Sequence, residues 1–294
     1  MAGGATAARV YADRVEAVLV QRTRLRGQPP VADLFGDLAP DSTLMRSDAH
    51  RPLSANLEAI ASYIELTDVV VDVGGGAGRI SLPLALRCKE LINVDPSKAM
   101  GAGFEANAKA AGVMNVRFIA SDWPMASPPI GSVALVNHVT YMTRDIVPFI
   151  SALEEAGHRR VIITVNSPAP PARQQALYEL FYDEPETIVP GHAELVNVLW
   201  EMGILPDVRV LPSGSNPPPL APTRELAISG AISRFGGEQW GLWPLGMELE
   251  QRLRRLLEER FDELFSEVDD QFAPRWWVTG KEVLMTWRPD IDRI

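Results

Sequence analysis

Residues Val69 to Gly78 read Val-Val-Val-Asp-Val-Gly-Gly-Gly-Ala-Gly. Valines on both sides of Asp72 make the run of a buried β-strand, and Gly74, Gly76 and Gly78 follow at alternate positions. Glycine has no Cβ, so backbone there reaches positive φ and can pass close to a ligand. The spacing predicts a helix from Arg79 to Leu86, and a helix N-terminus behind such a loop favours the negative end of a ligand. The stretch therefore predicts a nucleoside-type cofactor site at the carboxyl end of a strand.

Outward from this loop the chain alternates strand and helix. Strands are predicted at Val69–Val73, Leu91–Val94, Val116–Ala120, Ser132–Val136 and Val161–Val165. Helices are predicted at Lys98–Ala111 and Asp145–Ala156. The strand cores are continuously apolar, which suits a parallel sheet covered on both faces. This is the rhythm of a doubly wound α/β fold. Upstream, Tyr11–Leu25 reads as an amphipathic helix, Asp41 and Ser42 as caps of a short helix, and Pro52 as the opening of a helix through Leu57, Ile60 and Ile64. Downstream come helices at Arg173–Tyr182 and His192–Met202, a strand at Pro206–Leu211, and a proline-rich loop at Pro212–Pro222. Thr223–Val268 reads as helical, with Leu249, Leu253, Leu256, Leu257, Leu264 and Phe265 on one face, and a last strand is predicted at Glu282–Trp287.

The chain has 294 residues, 46% of them hydrophobic, which is enough for a full core. Its net charge of −10 argues against nucleic acid as a partner, because such affinity leans on Lys and Arg. One cysteine, Cys88, leaves no intrachain disulfide and no cysteine-based zinc site. His50, His158 and His192 have no metal-ligand spacing, so no metal is expected. No run approaches a membrane span and no leader pattern is seen, so a cytoplasmic protein without membrane contact is expected.

Three spaced elements resemble the class I S-adenosylmethionine-dependent methyltransferases. The first is Asp72-x-Gly74-x-Gly76-x-Gly78. The second is Asn93-Val94-Asp95-Pro96-Ser97, whose acid lies about twenty residues beyond Gly74, the spacing of a ribose-binding carboxylate. The third is Ser121-Asp122-Trp123, similar to the family's adenine clamp. Two shorter elements, Arg46-x-Asp48-x-x-Arg51 and His138-Val139-Thr140-Tyr141, resemble a bacterial small-molecule group within that class.

The resemblance implies a doubly wound, Rossmann-like, seven-stranded sheet, mostly parallel with the last strand antiparallel. N-terminal helices would span 1–66, the cofactor-binding core 67–211, a helical insertion 212–273, and the final strand 274–294. It implies S-adenosyl-L-methionine as cofactor and S-adenosyl-L-homocysteine as product. The implied cofactor contacts are Asp72, Gly74, Gly75, Gly76, Gly78, Asp95, Pro96, Ser97, Met100, Asp122, Trp123, Asn137, Arg46 and Arg51. Asp95 would take both ribose hydroxyls in charge-assisted hydrogen bonds. An arginine, Arg46 or Arg51, would meet the carboxylate of the amino-acid tail.

Methyl transfer is an in-line displacement that needs alignment more than covalent help. A base matters only if the acceptor must lose a proton, and His138, just past the fourth strand, is the candidate, with Tyr141 beside it. Each assignment has a plainer rival. Asp95 could cap a helix, Asp122 could serve a turn before Pro124, and Trp123 could pack in the core. His138 and Tyr141 could be structural, and Arg46 and Arg51 could pair with Asp48. Asn216-Pro217-Pro218-Pro219 is out of place for an amino-methylating motif and reads as a rigid loop.

The expected function is methylation of a small organic acceptor, at oxygen rather than nitrogen. Tyr178, Phe181, Tyr182, Phe235, Trp240 and Trp243 are candidates to line the acceptor cavity, or else to glue the insertion to the sheet. The first helix and the leucine-faced helix offer surfaces for a homodimer. The alternatives are a nicotinamide-dependent oxidoreductase, disfavoured by Arg79 where that fingerprint needs glycine, and a non-catalytic cofactor sensor.

Overall fold

The computed structural model describes residues 6–27, 45–215, 217–236 and 245–289. Asp41, Ser42, Asn216, Trp240 and Trp243 lie outside the described residues.

Seven strands form one sheet: β1 (Val69–Val73), β2 (Glu90–Asp95), β3 (Val116–Ala120), β4 (Gly131–Asn137), β5 (Gly157–Ser167), β6 (Asp207–Ser215) and β9 (Gly280–Trp287). Their order is β3-β2-β1-β4-β5-β9-β6. Neighbours from β3 through β5 are parallel, and β9 runs antiparallel to both β5 and β6. The expected seven-stranded, mostly parallel sheet with an antiparallel last strand is therefore present. Strand order reverses between β1 and β4, so the crevice above their carboxyl ends is a topological switch point. Because β9 is reversed, its amino end lies at that same edge.

Successive residues of a strand point to opposite faces, so a continuous apolar run supplies two cores at once. Val71, Val73, Ile92, Val94, Ala134 and Val136 pack on one face, beneath α1 (Ala7–Arg26), α5 (Ile146–Ala156) and α7 (His192–Glu201). Val70, Leu91, Val133, Leu135 and Ile162 pack on the other, with α2 (Ala55–Ala61), α3 (Ser81–Ala85) and α4 (Lys98–Ala110). Asp68, just ahead of β1, ties the strand starts together, because its carboxylate accepts from Ser132 of β4 and from Arg159 of β5.

Several boundaries differ from expectation, for local reasons. α2 begins after Ser54, whose hydroxyl accepts the Leu57 N–H; Pro52 stands outside it, and Ile64 lies beyond its end. α3 spans only Ser81–Ala85, shorter than Arg79–Leu86 at both ends. Residues Pro170–Gln174 tighten into a 3-10 turn, so α6 spans only Gln175–Tyr182.

The largest correction concerns Thr223–Val268. Its described residues form α8 (Arg224–Gly236), α9 (Met247–Glu259) and α10 (Phe261–Leu264), but Phe265 then starts a strand. β7 (Phe265–Val268) and β8 (Gln271–Pro274) make a hairpin turned by Asp269 and Asp270, with φ of 50° and 58°. Two consecutive positive φ values match the twist of a two-residue hairpin loop, and Asp is among the residues that tolerate them.

These elements share a third core with α6, built from Leu177, Tyr178, Phe181, Ile232, Phe235, Leu253, Leu257 and Phe265. Tyr178, Phe181, Tyr182 and Phe235 pack ring against ring, with centroids 4.7 to 6.1 Å apart, so they hold the added helices to α6. The leucine face of α9 and the Tyr11, Val15 and Val18 face of α1 are internal. Those apolar faces are therefore occupied within the chain. Among the described residues no helix is long and apolar enough to cross a membrane.

Candidate functional site

The loop after β1 is held from below and left open above. Gly74, Gly76 and Gly78 have φ of 74°, 54° and 92°. The Gly74 N–H donates to the Val94 carbonyl at 2.7 Å. A Cβ on Gly74 would lie 2.4 Å from Val139 Cγ2, so the loop and the segment after β4 touch with no room for a side chain. A Cβ on Gly76 would meet only Met100 Sδ, at 3.6 Å.

Asp95, the last residue of β2, clasps this loop. The Gly76 N–H donates to its Oδ2 at 3.0 Å, and the Ser97 N–H to its Oδ1 at 2.9 Å. Asn93 Nδ2 donates to the Gly76 carbonyl at 2.8 Å, completing the clasp. The cap of α4 is Ser97, whose hydroxyl accepts from Met100 N–H, so the rival reading of Asp95 as the cap is set aside.

Asp72 lies beneath the loop, 1% exposed, and accepts from the Ser81 hydroxyl. Burial pushes its carboxyl up from 3.8 to about 7; the Ser81 hydrogen bond opposes the rise and the nearby Asp95 charge adds to it. The native state thus holds this proton far more tightly than the unfolded chain. That contribution is fully present below 3.8 and is lost as pH rises through about 7. Asp72→Asn, which needs no proton, is expected to match the wild type near pH 4 and to exceed its stability above pH 7. Urea midpoints across that range measure it; a gap that does not widen with pH would show Asp72 to be ionised throughout.

The remaining cofactor candidates fall on both sides of the loop. The Ser121 N–H donates to the Asp95 carbonyl at 3.3 Å, which places the exposed Asp122 beside the ends of β2 and β3. Trp123 is half-buried against α5, its indole N–H donating to the Phe149 carbonyl at 3.2 Å. Ser47 donates to the Gly78 carbonyl at 2.9 Å and Arg51 to the Arg79 carbonyl at 3.0 Å, so this segment lies along the loop. Arg46 is exposed, and neither arginine pairs with Asp48, whose carboxylate accepts the His50 N–H. Asn137 points along the sheet, donating to Thr164 Oγ1 at 2.6 Å.

At the end of β4 the backbone makes a left-handed turn at His138, with φ of 60°, and its N–H donates to the Thr164 carbonyl. The turn aims the imidazole across β5 toward the start of β9. There Nε2 lies 3.1 Å from Glu282 Oε1. Nδ1 lies 3.2 Å from the Tyr141 hydroxyl and 3.3 Å from Asn166 Nδ2. Tyr141 accepts the Asn166 N–H at 2.6 Å. Burial would raise the Glu282 carboxyl, but hydrogen bonds from His138, Asn56 and Thr164, and attraction to His138 whenever that ring is protonated, hold it below its usual range. Arg173, also buried, is an electrostatic neighbour of Tyr141.

Glu282, Asn166 and Asn56 were missed in the sequence. The one local signal was an acid at the head of the apolar run Val283-Leu284-Met285, where an ionised side chain needs a partner. Among the described residues no cluster of His, Cys, Asp or Glu could hold a metal.

Residues 70–156 match a family model described as a methyltransferase domain. An uncharacterized RNA methyltransferase of Lactobacillus johnsonii is 25% identical over 190 residues, which covers 60% of this chain and 42% of that protein. The chain thus spans about two fifths of the length of that curated relative. Two solved structures share the fold. The YcgJ protein of Bacillus subtilis has a TM-score of 0.51 at 16% identity, covering 79% of this chain and 96% of its own. A putative methyltransferase of Bacillus halodurans has a TM-score of 0.53 at 13% identity, with the same coverage of 79% and 96%.

Proposed function

We propose that this chain, whose residues 70–156 match a methyltransferase domain, is a class I, S-adenosylmethionine-dependent enzyme that methylates a small organic acceptor at oxygen, with His138 as the base. The observation that carries this reading is the His138–Glu282 pair at the carboxyl edge of the sheet, on the segment that touches the glycine loop through Val139 and Gly74.

The loop fits the cofactor: Gly76 leaves open space above it and Asp95 stands at its rim. Asp95 would hold the ribose hydroxyls, with the Asp122–Trp123 segment beside the adenine. When bound, the cofactor supplies an electrophilic methyl on a sulfonium. Glu282 accepts from His138 Nε2–H, which leaves Nδ1 to take a proton. The acceptor hydroxyl would take the place that the Tyr141 hydroxyl and Asn166 Nδ2 hold beside Nδ1 in the free protein, and would give that proton to Nδ1 as its oxygen takes the methyl. Glu282 would stabilise the imidazolium formed there, while the bound cofactor would supply the methyl and keep the electron pair of its carbon–sulfur bond. In this reading α1 caps the site of the 67–211 core, and the 212–273 segment with α6 covers the acceptor.

The RNA methyltransferase likeness raises a second acceptor class. A net charge of −10 works against neutralising a phosphate backbone. Methylation of a base carbon through thiolate addition lacks a ready thiolate, because Cys88 is buried ahead of β2 and burial pushes its thiol pKa up to about 12.

The test is calorimetric titration with S-adenosylmethionine, S-adenosylhomocysteine and NAD(P), followed by S-adenosylhomocysteine release over phenols, carboxylic acids, amines and an RNA transcript. Binding of the sulfonium and its product, with turnover on a hydroxyl acceptor, is expected. Binding of NAD(P) alone would overturn the cofactor assignment, and turnover on RNA alone would overturn the small acceptor. Binding without release on any acceptor would leave the sensor reading standing.

A further inference from the structure

Asn166 ends the hydrogen-bond chain around His138 with one oxygen to spare. It sits near the end of β5, in register with Glu282 on β9, and is 3% exposed. Its backbone N–H is committed to the Tyr141 hydroxyl and its Nδ2 faces His138 Nδ1 at 3.3 Å, while its Oδ1 is buried with no hydrogen-bond partner. A buried polar atom left unpaired is costly, and native interiors keep few of them. The groups around the ring are Glu282 from β9, Tyr141 from the 3-10 turn at Thr140–Met142, Thr164 from β5 and, beyond Tyr141, Arg173.

We propose that the Asn166 side-chain amide is a two-position partner of His138, donating Nδ2–H to the neutral ring and turning to accept from the protonated one. A carboxamide carries a donor and an acceptor of nearly the same shape, so half a turn about its last bond exchanges them. With Nδ1 unprotonated, Nδ2 donates to its lone pair and Oδ1 goes without a partner. Once Nδ1 gains a proton, the turned amide offers Oδ1 to Nδ1–H, and the unpaired oxygen gains its donor when the positive charge forms. Glu282 holds Nε2–H in both states. Asn166 is thus a positioning residue that favours the imidazolium, and its part in turnover rests on His138 acting as the base.

The experiment follows the His138 ring by nitrogen-15 NMR in the full chain, across pH, for wild type, Asn166→Asp and Asn166→Leu. Both variants keep the backbone N–H that Tyr141 uses. A carboxylate only accepts, so the Asp variant is expected to keep the ring doubly protonated to higher pH than wild type. The Leu variant neither donates nor accepts, so it is expected to release the proton at lower pH. Turnover in the Leu variant falls about ten- to hundredfold, the size of one hydrogen bond to a charged group. Three coincident ring titrations, or a Leu variant that holds its proton as long as wild type, would overturn the proposal. If the titrations separate in this order while His138→Asn keeps full turnover, the two-position amide stands and the base assignment fails.

Discussion

His138→Asn lowers turnover on a hydroxyl acceptor by about 10²- to 10⁴-fold, the usual contribution of a positioned base, while S-adenosylhomocysteine binds with unchanged affinity. Asparagine is the informative replacement, because residue 138 sits at a φ of 60°, where asparagine is tolerated and most side chains are strained. The backbone turn therefore survives, and the change is confined to the ring. The split between the two measurements follows from where the ring is. Its contacts are Glu282, Tyr141 and Asn166, on the β4–β5–β9 side of the loop. In the proposed reading the ribose end lies at Asp95, the last residue of β2. Initial rates of product release, with calorimetry on the same preparation, decide the matter. Equal turnover in variant and wild type would mean that the imidazole is structural and that the acceptor needs no base.

Asp95→Ala weakens S-adenosylmethionine binding by roughly 10²- to 10³-fold, the loss expected for two hydrogen bonds to one carboxylate. The same change removes the acceptor for the Gly76 and Ser97 N–H groups, so the free protein also loses stability, by about 1–3 kcal/mol for each N–H left buried without a partner. The two effects separate experimentally. Urea unfolding of the free protein reports the loop, and titration at saturating concentrations of folded protein reports the ribose. Asp95→Asn keeps an oxygen for one N–H and loses the charge. It is expected to lie between Ala and wild type in both measurements. A folded Asp95→Ala protein with wild-type cofactor affinity would show that this carboxylate serves the loop alone.

The two sites differ in how far they could be read from the chain. β1 and β3 run over the residues expected of them, and β2 differs only at its ends. A strand buried on both faces must be apolar at every position, which leaves an unbroken run in the text. The glycine loop was equally legible, because Gly74 and Gly76 answer to local backbone geometry. The β7–β8 hairpin was not. Its residues continue the apolar spacing of α9, and the chain turns back on itself only because Asp269 and Asp270 take positive φ, a choice aspartate permits without demanding it.

The amino-acid sequence by itself determined the doubly wound sheet, the loop at the end of its first strand and the acid at the end of its second, because each depends on residues near one another in the chain. Only the tertiary structure decided the company that His138 keeps. Glu282 reaches it because β9 enters the sheet reversed and brings its amino end to the carboxyl edge, and Asn166 reaches it because β4 and β5 lie side by side. Pairing between distant strands is set by the packing of the whole sheet, and a buried ion and its partner are then selected together, whatever their separation in sequence.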